Sequence, residues 1–183
     1  MMDDTGTGNK NGKTKGSALL LRAGMLLLAA FALCTPAGAE GGREKAVALV
    51  KEAAALQAGG SADKALSAVR EALKADPEYA EAHDQLGYLL LAQGQDDEAM
   101  KAFDTALGLN PRIRTSKTGR GLVLLRKGDL KAAEATLKEA LQLNPYPSMT
   151  HYALGLVYER LNEHEKAIAE YKEGIRKHKS GRR

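Results

Sequence analysis

The sequence predicts an all-α fold of four stacked helix pairs, and three observations carry that prediction. The phrases "EALKADPEYA" from Glu71, "TALGLNPRIR" from Thr105 and "EALQLNPYPS" from Glu139 recur 34 residues apart without a slip. Small residues, glycines and prolines recur in phase with them. The composition is that of an Ala- and Leu-rich helical protein: of 183 residues 44% are hydrophobic and 27% charged, with two Phe and no Trp. A fixed period of this length marks an array of supersecondary units, each stacked on the next. Carried in both directions, the register gives units at 46–79, 80–113, 114–147 and 148–181.

Each unit reads in the same order. Its first helix carries a small position, Ala53, Gly87, Gly121 and Gly155, followed three residues on by a large one, Leu56, Leu90, Leu124 and Tyr158. Gly60, Gly94, Gly128 and Asn162 come next, residues suited to the left-handed backbone that ends a helix. The second helix alternates small Ala65, Ala99, Ala133 and Ala167 with large Val69, Phe103, Leu137 and Tyr171, then small Ala72, Ala106, Ala140 and Gly174. Small residues let two helices approach, and large ones fill the space so opened. Pro77, Pro111 and Pro145 stop the second helix, because proline lacks the N–H and disfavours helix in the residue before it.

Helix, glycine turn, helix and proline stop at a 34-residue period resemble the tetratricopeptide repeat family, from about Ala46 almost to the end of the chain. The resemblance implies a right-handed superhelical solenoid of antiparallel helix pairs, with the first helices lining a groove for a protein or peptide segment. The groove positions it implies are Val47, Val50 and Ala54; Glu81, Asp84, Tyr88 and Leu91; Thr115, Thr118, Leu122 and Leu125; and Met149, Tyr152, Leu156 and Glu159. That lining is largely apolar, which suits an apolar or helical segment, although packing within a tight superhelix accounts for single residues equally well. The carboxylate clamp of chaperone-binding members needs Lys, Asn and Arg where this chain has Val50 and Ala54, Tyr88, and Thr115 with Gly119. A chaperone-tail receptor is therefore not expected.

The third unit departs from the pattern. At two core positions of its first helix it places Lys117 and Arg120, where other units have Leu49, His83 and His151, or Glu52, Leu86 and Leu154. Thr115, Ser116, Thr118 and Gly119 around them are indifferent or poor helix formers, and cations in a first turn oppose the helix dipole. The expectation is a late start near Gly119 with Arg112 to Thr118 as a loop. The alternative is a regular helix in which Lys117 and Arg120 lay their stems over the core and carry their charges outward. Functionally, Arg112, Arg114, Lys117 and Arg120 would form a basic lip beside the groove, or else mark degeneration of the repeat. The fourth unit has Lys179 in place of the proline, and "EGIRKHKSGRR" is expected to close the array as a charged end.

Residues 1–39 do not continue the pattern. Lys10, Lys13, Lys15 and Arg22 precede the apolar run "AGMLLLAAFALC", Ala23 to Cys34, and Ala37 and Ala39 supply the small residues that a signal peptidase requires. This order reads as a secretory signal peptide, giving a periplasmic or secreted protein of residues 40–183. The alternative is an uncleaved membrane anchor over 18–35, and only then would a membrane be a partner. A lipoprotein signal is disfavoured by Leu33 before Cys34. That Cys is the only one, so the 144 residues from Glu40 carry no thiol, and a hydrophobic core has to hold them.

Chemistry is sparse. "GNKNGKT", Gly8 to Thr14, has its glycines one residue too close for a phosphate loop and follows no strand. His83 and His151 stand two units apart and are expected at helix interfaces; His164 and His178 have no ligand partners at metal spacing. Asp96, Asp97 and Glu98 suit a helix start, and Asp129 a cap. The net charge of +4 is not gathered on one face and is not interleaved with aromatics, which argues against nucleic acid. The expectation is a non-catalytic scaffold or adaptor of the bacterial envelope, with no cofactor, metal or small-molecule substrate.

Overall fold

The computed structural model describes residues 37–143 and 147–180. They form α1 (Ala37–Ala58), α2 (Ala62–Ala75), α3 (Ala80–Ala92), α4 (Asp96–Leu109), α5 (Arg114–Lys127), α6 (Leu130–Leu143), α7 (Ser148–Arg160) and α8 (His164–Ser180). Among the described residues there is no strand, and no helix is long and apolar enough to cross a membrane. The leader, the apolar run and Cys34 lie outside them, as does Pro145; Ala37 and Ala39 fall at the start of α1.

The punctuation is the one the sequence dictates. Gly60, Gly94 and Gly128 have φ of 77°, 79° and 84°, and Asn162 has φ of 60°. Asn is the non-glycine residue that best tolerates this region, which explains its place in the column. After α2 and α4, Asp76 and Asn110 accept the backbone N–H of Glu78 at 3.0 Å and of Arg112 at 3.1 Å, bracing the turns that carry Pro77 and Pro111. Asp129 caps α6 by accepting the Ala132 N–H at 3.1 Å. At Lys179, where no proline stands, α8 continues to Ser180.

Packing follows the pairing of small with large. A Cβ added to Gly87 would lie 2.5 Å from the Phe103 ring, one on Gly121 2.6 Å from Leu137, and one on Gly155 2.3 Å from Tyr171. In each pair the second helix thus sets its largest residue against bare backbone of the first. Phe103, Leu89, Leu137 and Leu154 are fully or almost fully buried, each stabilising by about 1.5–3 kcal/mol relative to exposure. Successive units join by packing α2 on α3, α4 on α5 and α6 on α7, while the first helices α3, α5 and α7 also touch in series.

The expected late start of the third unit is not found: α5 begins at Arg114. Its weak first turn is fastened from α3, where Asp84 accepts from the Thr115 hydroxyl at 2.8 Å and the Ser116 hydroxyl at 2.6 Å. The Tyr88 hydroxyl donates to the Thr115 carbonyl at 2.7 Å, and Thr118 shares a buried hydroxyl bond of 2.9 Å with Thr150 of α7. Gly119 is a packing residue, since a Cβ there would lie 2.3 Å from the Phe103 ring as well. Tertiary bonds override propensity here, as they commonly do.

Candidate functional site

The predicted groove residues take different surroundings according to the way the helices stack. Val50 packs against buried Ala46, Ala72 and Ala82, and Val47 beside it is half-buried. Asp84, Tyr88, Thr115 and Thr118 form the polar interlock between α3, α5 and α7, so Thr118 is buried rather than open to a ligand. Burial raises the Asp84 carboxyl above its usual range, an effect that the Ser116 and Thr115 hydroxyls partly offset. Burial likewise pushes the Tyr88 phenol well up, and its ring meets Phe103 edge-on with centroids 5.1 Å apart. Glu81 is exposed.

The open apolar surface lies one turn further along. Leu91 of α3, Leu122 and Leu125 of α5 and Leu156 of α7 wall a recess of about 290 Å³ with Arg126 and Arg160. Arg126 is anchored: its guanidinium donates to the Leu91 carbonyl at 2.6 Å and lies 3.3 Å from Asp96. Arg160 is its counterpart one unit on, but Leu130 stands where Asp96 does, and no described residue pairs with it. Neither arginine was among the sequence expectations. The signal was a column reading Ala58, Ala92, Arg126 and Arg160 in the last turn of the first helices. Met149 and Tyr152, with Leu156, open instead onto a second recess at the end of the fourth unit.

The basic lip is not assembled. Lys117 reaches Glu139 of α6 at 3.0 Å, and Arg120 lies 3.3 Å from Asp104 of α4. The two cations therefore point to opposite neighbours, each matched by a carboxylate of the chain itself, as the snorkelling alternative required. Arg112 and Arg114 are exposed at the start of the helix. His151 sits at a helix contact as expected, on Glu170 at 2.7 Å, whereas His83 meets the Pro77 carbonyl of the turn before its own helix at 2.9 Å. Among the described residues no group of three or more His, Cys, Asp or Glu is placed to hold a metal ion.

A sequence profile described as tetratricopeptide repeat matches residues 50–112, 85–147 and 118–181. The chain belongs to the tetratricopeptide repeat family. Among solved structures, TTC0263, a thermophilic TPR protein of Thermus thermophilus, is 29% identical, with 71% of this chain and 73% of that one covered and a TM-score of 0.65. Pseudomonas aeruginosa pilF is 24% identical over 75% of this chain and 63% of its own, with a TM-score of 0.66. The first TPR of Spaghetti (RPAP3), bound to an HSP90 peptide, is 18% identical over 66% of this chain and 95% of its own, with a TM-score of 0.60. The latter two likenesses concern the fold alone. A comparison with curated proteins returned no match. As a tetratricopeptide repeat protein the chain is a protein–protein interaction scaffold.

Proposed function

We propose that this tetratricopeptide repeat protein is a non-catalytic adaptor that holds a peptide segment on its first-helix surface through an aliphatic side chain and a neighbouring carboxylate. The recess of Leu91, Leu122, Leu125 and Leu156 supplies the apolar contact. The observation that carries the charge is Arg160, an exposed guanidinium at that recess with no partner among the described residues. Arginine binds carboxylates in a two-pronged geometry, so it orients the segment as well as attracting it. The RPAP3 repeat, which has the same fold, is bound to an HSP90 peptide, and this supports a peptide as the kind of partner.

The location proposed is the bacterial envelope, reached through the signal peptide of residues 1–39 and supported by the basic leader, apolar run and Ala37/Ala39 pair. Retention of 18–35 as an anchor is the second reading, supported by the same apolar run. N-terminal sequencing of the protein from cells distinguishes them: a start at Glu40 supports export and release, and retention of Met1 or Met2 in membranes supports the anchor.

The groove reading is tested by displaying random peptides and selecting binders. Selected peptides are expected to pair Leu, Ile or Val with a nearby Asp, Glu or chain-terminal carboxylate. Arg160→Glu should weaken them at least about tenfold while leaving the helical circular dichroism unchanged. Equal binding by the variant and the parent would sink the proposal.

A further inference from the structure

Positions that join units inside the described array recur at its two ends. Positions that face the following unit read Leu66, Met100, Glu134 and Ile168, and Leu73, Leu107, Leu141 and Ile175. The first three of each set are buried or half-buried by the next first helix. Ile168 and Ile175 have no such helix among the described residues and are 52% and 58% exposed. On the same end Met149 and Tyr152, 57% and 53% exposed, wall a recess of about 610 Å³ with Tyr171. This recess is the seat in which a fifth first helix would lie.

At the opposite end, the α1 positions that would face a preceding unit include Glu52, whose counterparts Leu86, Arg120 and Leu154 all meet the unit before them. Glu52 and Leu56 line an open cleft of about 570 Å³ between α1 and α2. Lys51 and Glu52 are both exposed.

The side-chain bonds that join successive units supply a template. Gln57 of α1 meets Gln85 of α3 at 2.7 Å; moved to the end of the array, the same two positions are Glu159 and Lys51 of a second copy. Asp104 and Arg120, 3.3 Å apart, become Lys172 and Glu52. The Glu134 and Tyr158 bond of 2.9 Å becomes Ile168 with Leu56, and the Tyr88 and Thr115 bond of 2.7 Å becomes Leu156 with Val47. Two positions thus become opposite charges, and two become apolar pairs. None places like charges together.

We propose that the open end of α7 and α8 receives α1 of a second copy of this chain, so that the solenoid continues head to tail from one molecule into the next. The occupant is a second copy because these four pairs match in charge or apolarity, while the Arg126–Asp96 and Lys127–Asp97 ion pairs become the indifferent Ala58 with His164 and Gly59 with Glu165. A head-to-tail contact of this kind does not close by itself and gives open chains rather than a fixed dimer. Leu156 walls both recesses, whereas Leu91 and Leu125 wall only the first, and the charges at 52 and 172 lie outside it, so reversing them tests this proposal apart from the peptide reading.

Charge reversal tests it. Sedimentation velocity of the full chain in a fixed mild detergent should show species that grow with concentration. Glu52→Lys alone and Lys172→Glu alone should each weaken association at least about tenfold, since each sets like charges together. An equimolar mixture of the two should associate again, because each broken end then meets a matching one. A parent that stays monomeric at all concentrations overturns the proposal, as does a mixture no better associated than its components. The two variants should keep the parent's circular dichroism, and loss of association together with helicity would be answered by the mixture, which restores assembly only if both chains are folded.

Discussion

The junction of the second and third units and that of the third and fourth occupy the same positions with different chemistry. In the first, α5 is held to α3 by Asp84, Tyr88 and hydroxyls, and one ring, Phe103, fills the space against Gly87 and Gly119. In the second, Leu137, Ala153, Leu154, Val157 and Tyr158 form one broad apolar cluster. The third unit could give up apolar residues at 117 and 120 because the ring and the polar interlock also hold its helix. A repeat is therefore not degenerate merely because its own residues depart from the column; its neighbour's residues decide.

The most severe way to break the first junction is Phe103→Ala. The ring is fully buried, and its removal should cost about 3–5 kcal/mol, read from urea unfolding followed by circular dichroism. Gly119→Ala should cost about 1–3 kcal/mol by overpacking, and the pairing of the two is the sharper test. In Phe103→Leu the shorter side chain makes room, so adding Gly119→Ala should cost less there than in the parent. Additivity would mean that residue 119 does not press on the ring.

This is also where reading the sequence succeeded and failed. The columns of period 34 show the helices, the turns and the pairing of Gly87 with Phe103, because those depend on contacts between fixed offsets within a unit. The role of Gly119 was hidden, because its ring belongs to the preceding unit and the glycine looked only like a poor helix former. The same holds for Asp84: a lone acid in a groove column reads as a ligand contact until the hydroxyls of the next helix are placed on it. The candidate site was legible in Leu91, Leu122, Leu125 and Leu156, whereas Arg160 gains its meaning from the absence of an Asp at 130, one unit away from Asp96.

The polar half of the junction responds to pH. Asp84→Ala leaves the buried Ser116 hydroxyl without its acceptor and should cost about 1–3 kcal/mol. Because burial raises the folded-state pKa of Asp84 above its unfolded value, the folded chain holds the proton more readily. Its contribution is fully present below the ordinary carboxylate range and is lost as pH rises through the raised value. Asp84→Asn keeps an acceptor and removes the titration. Thermal midpoints from about pH 3.5 to 7 should therefore rise for the variant relative to the parent as the pH increases; parallel profiles would show that the carboxylate is not penalised by its surroundings.

The smallest effect is expected where the sequence looked most damaged. Lys117→Leu with Arg120→Leu would restore the apolar column, and on the sequence alone it should stabilise the array. The structure changes that expectation. Arg120 and Asp104 are each about half exposed, at 45% and 51%, and an exposed pair contributes about 0–1 kcal/mol. Lys117 is better covered, but Glu139 opposite it is largely solvated. Arg120 is exposed, so a leucine there gains little buried area. The double variant should unfold within about 1 kcal/mol of the parent. A large gain would mean that the two cations leave an unfilled site, and a large loss that Asp104 and Glu139 depend on them; either would make the ion pairs, rather than the ring and the interlock, the feature that distinguishes this junction from the next.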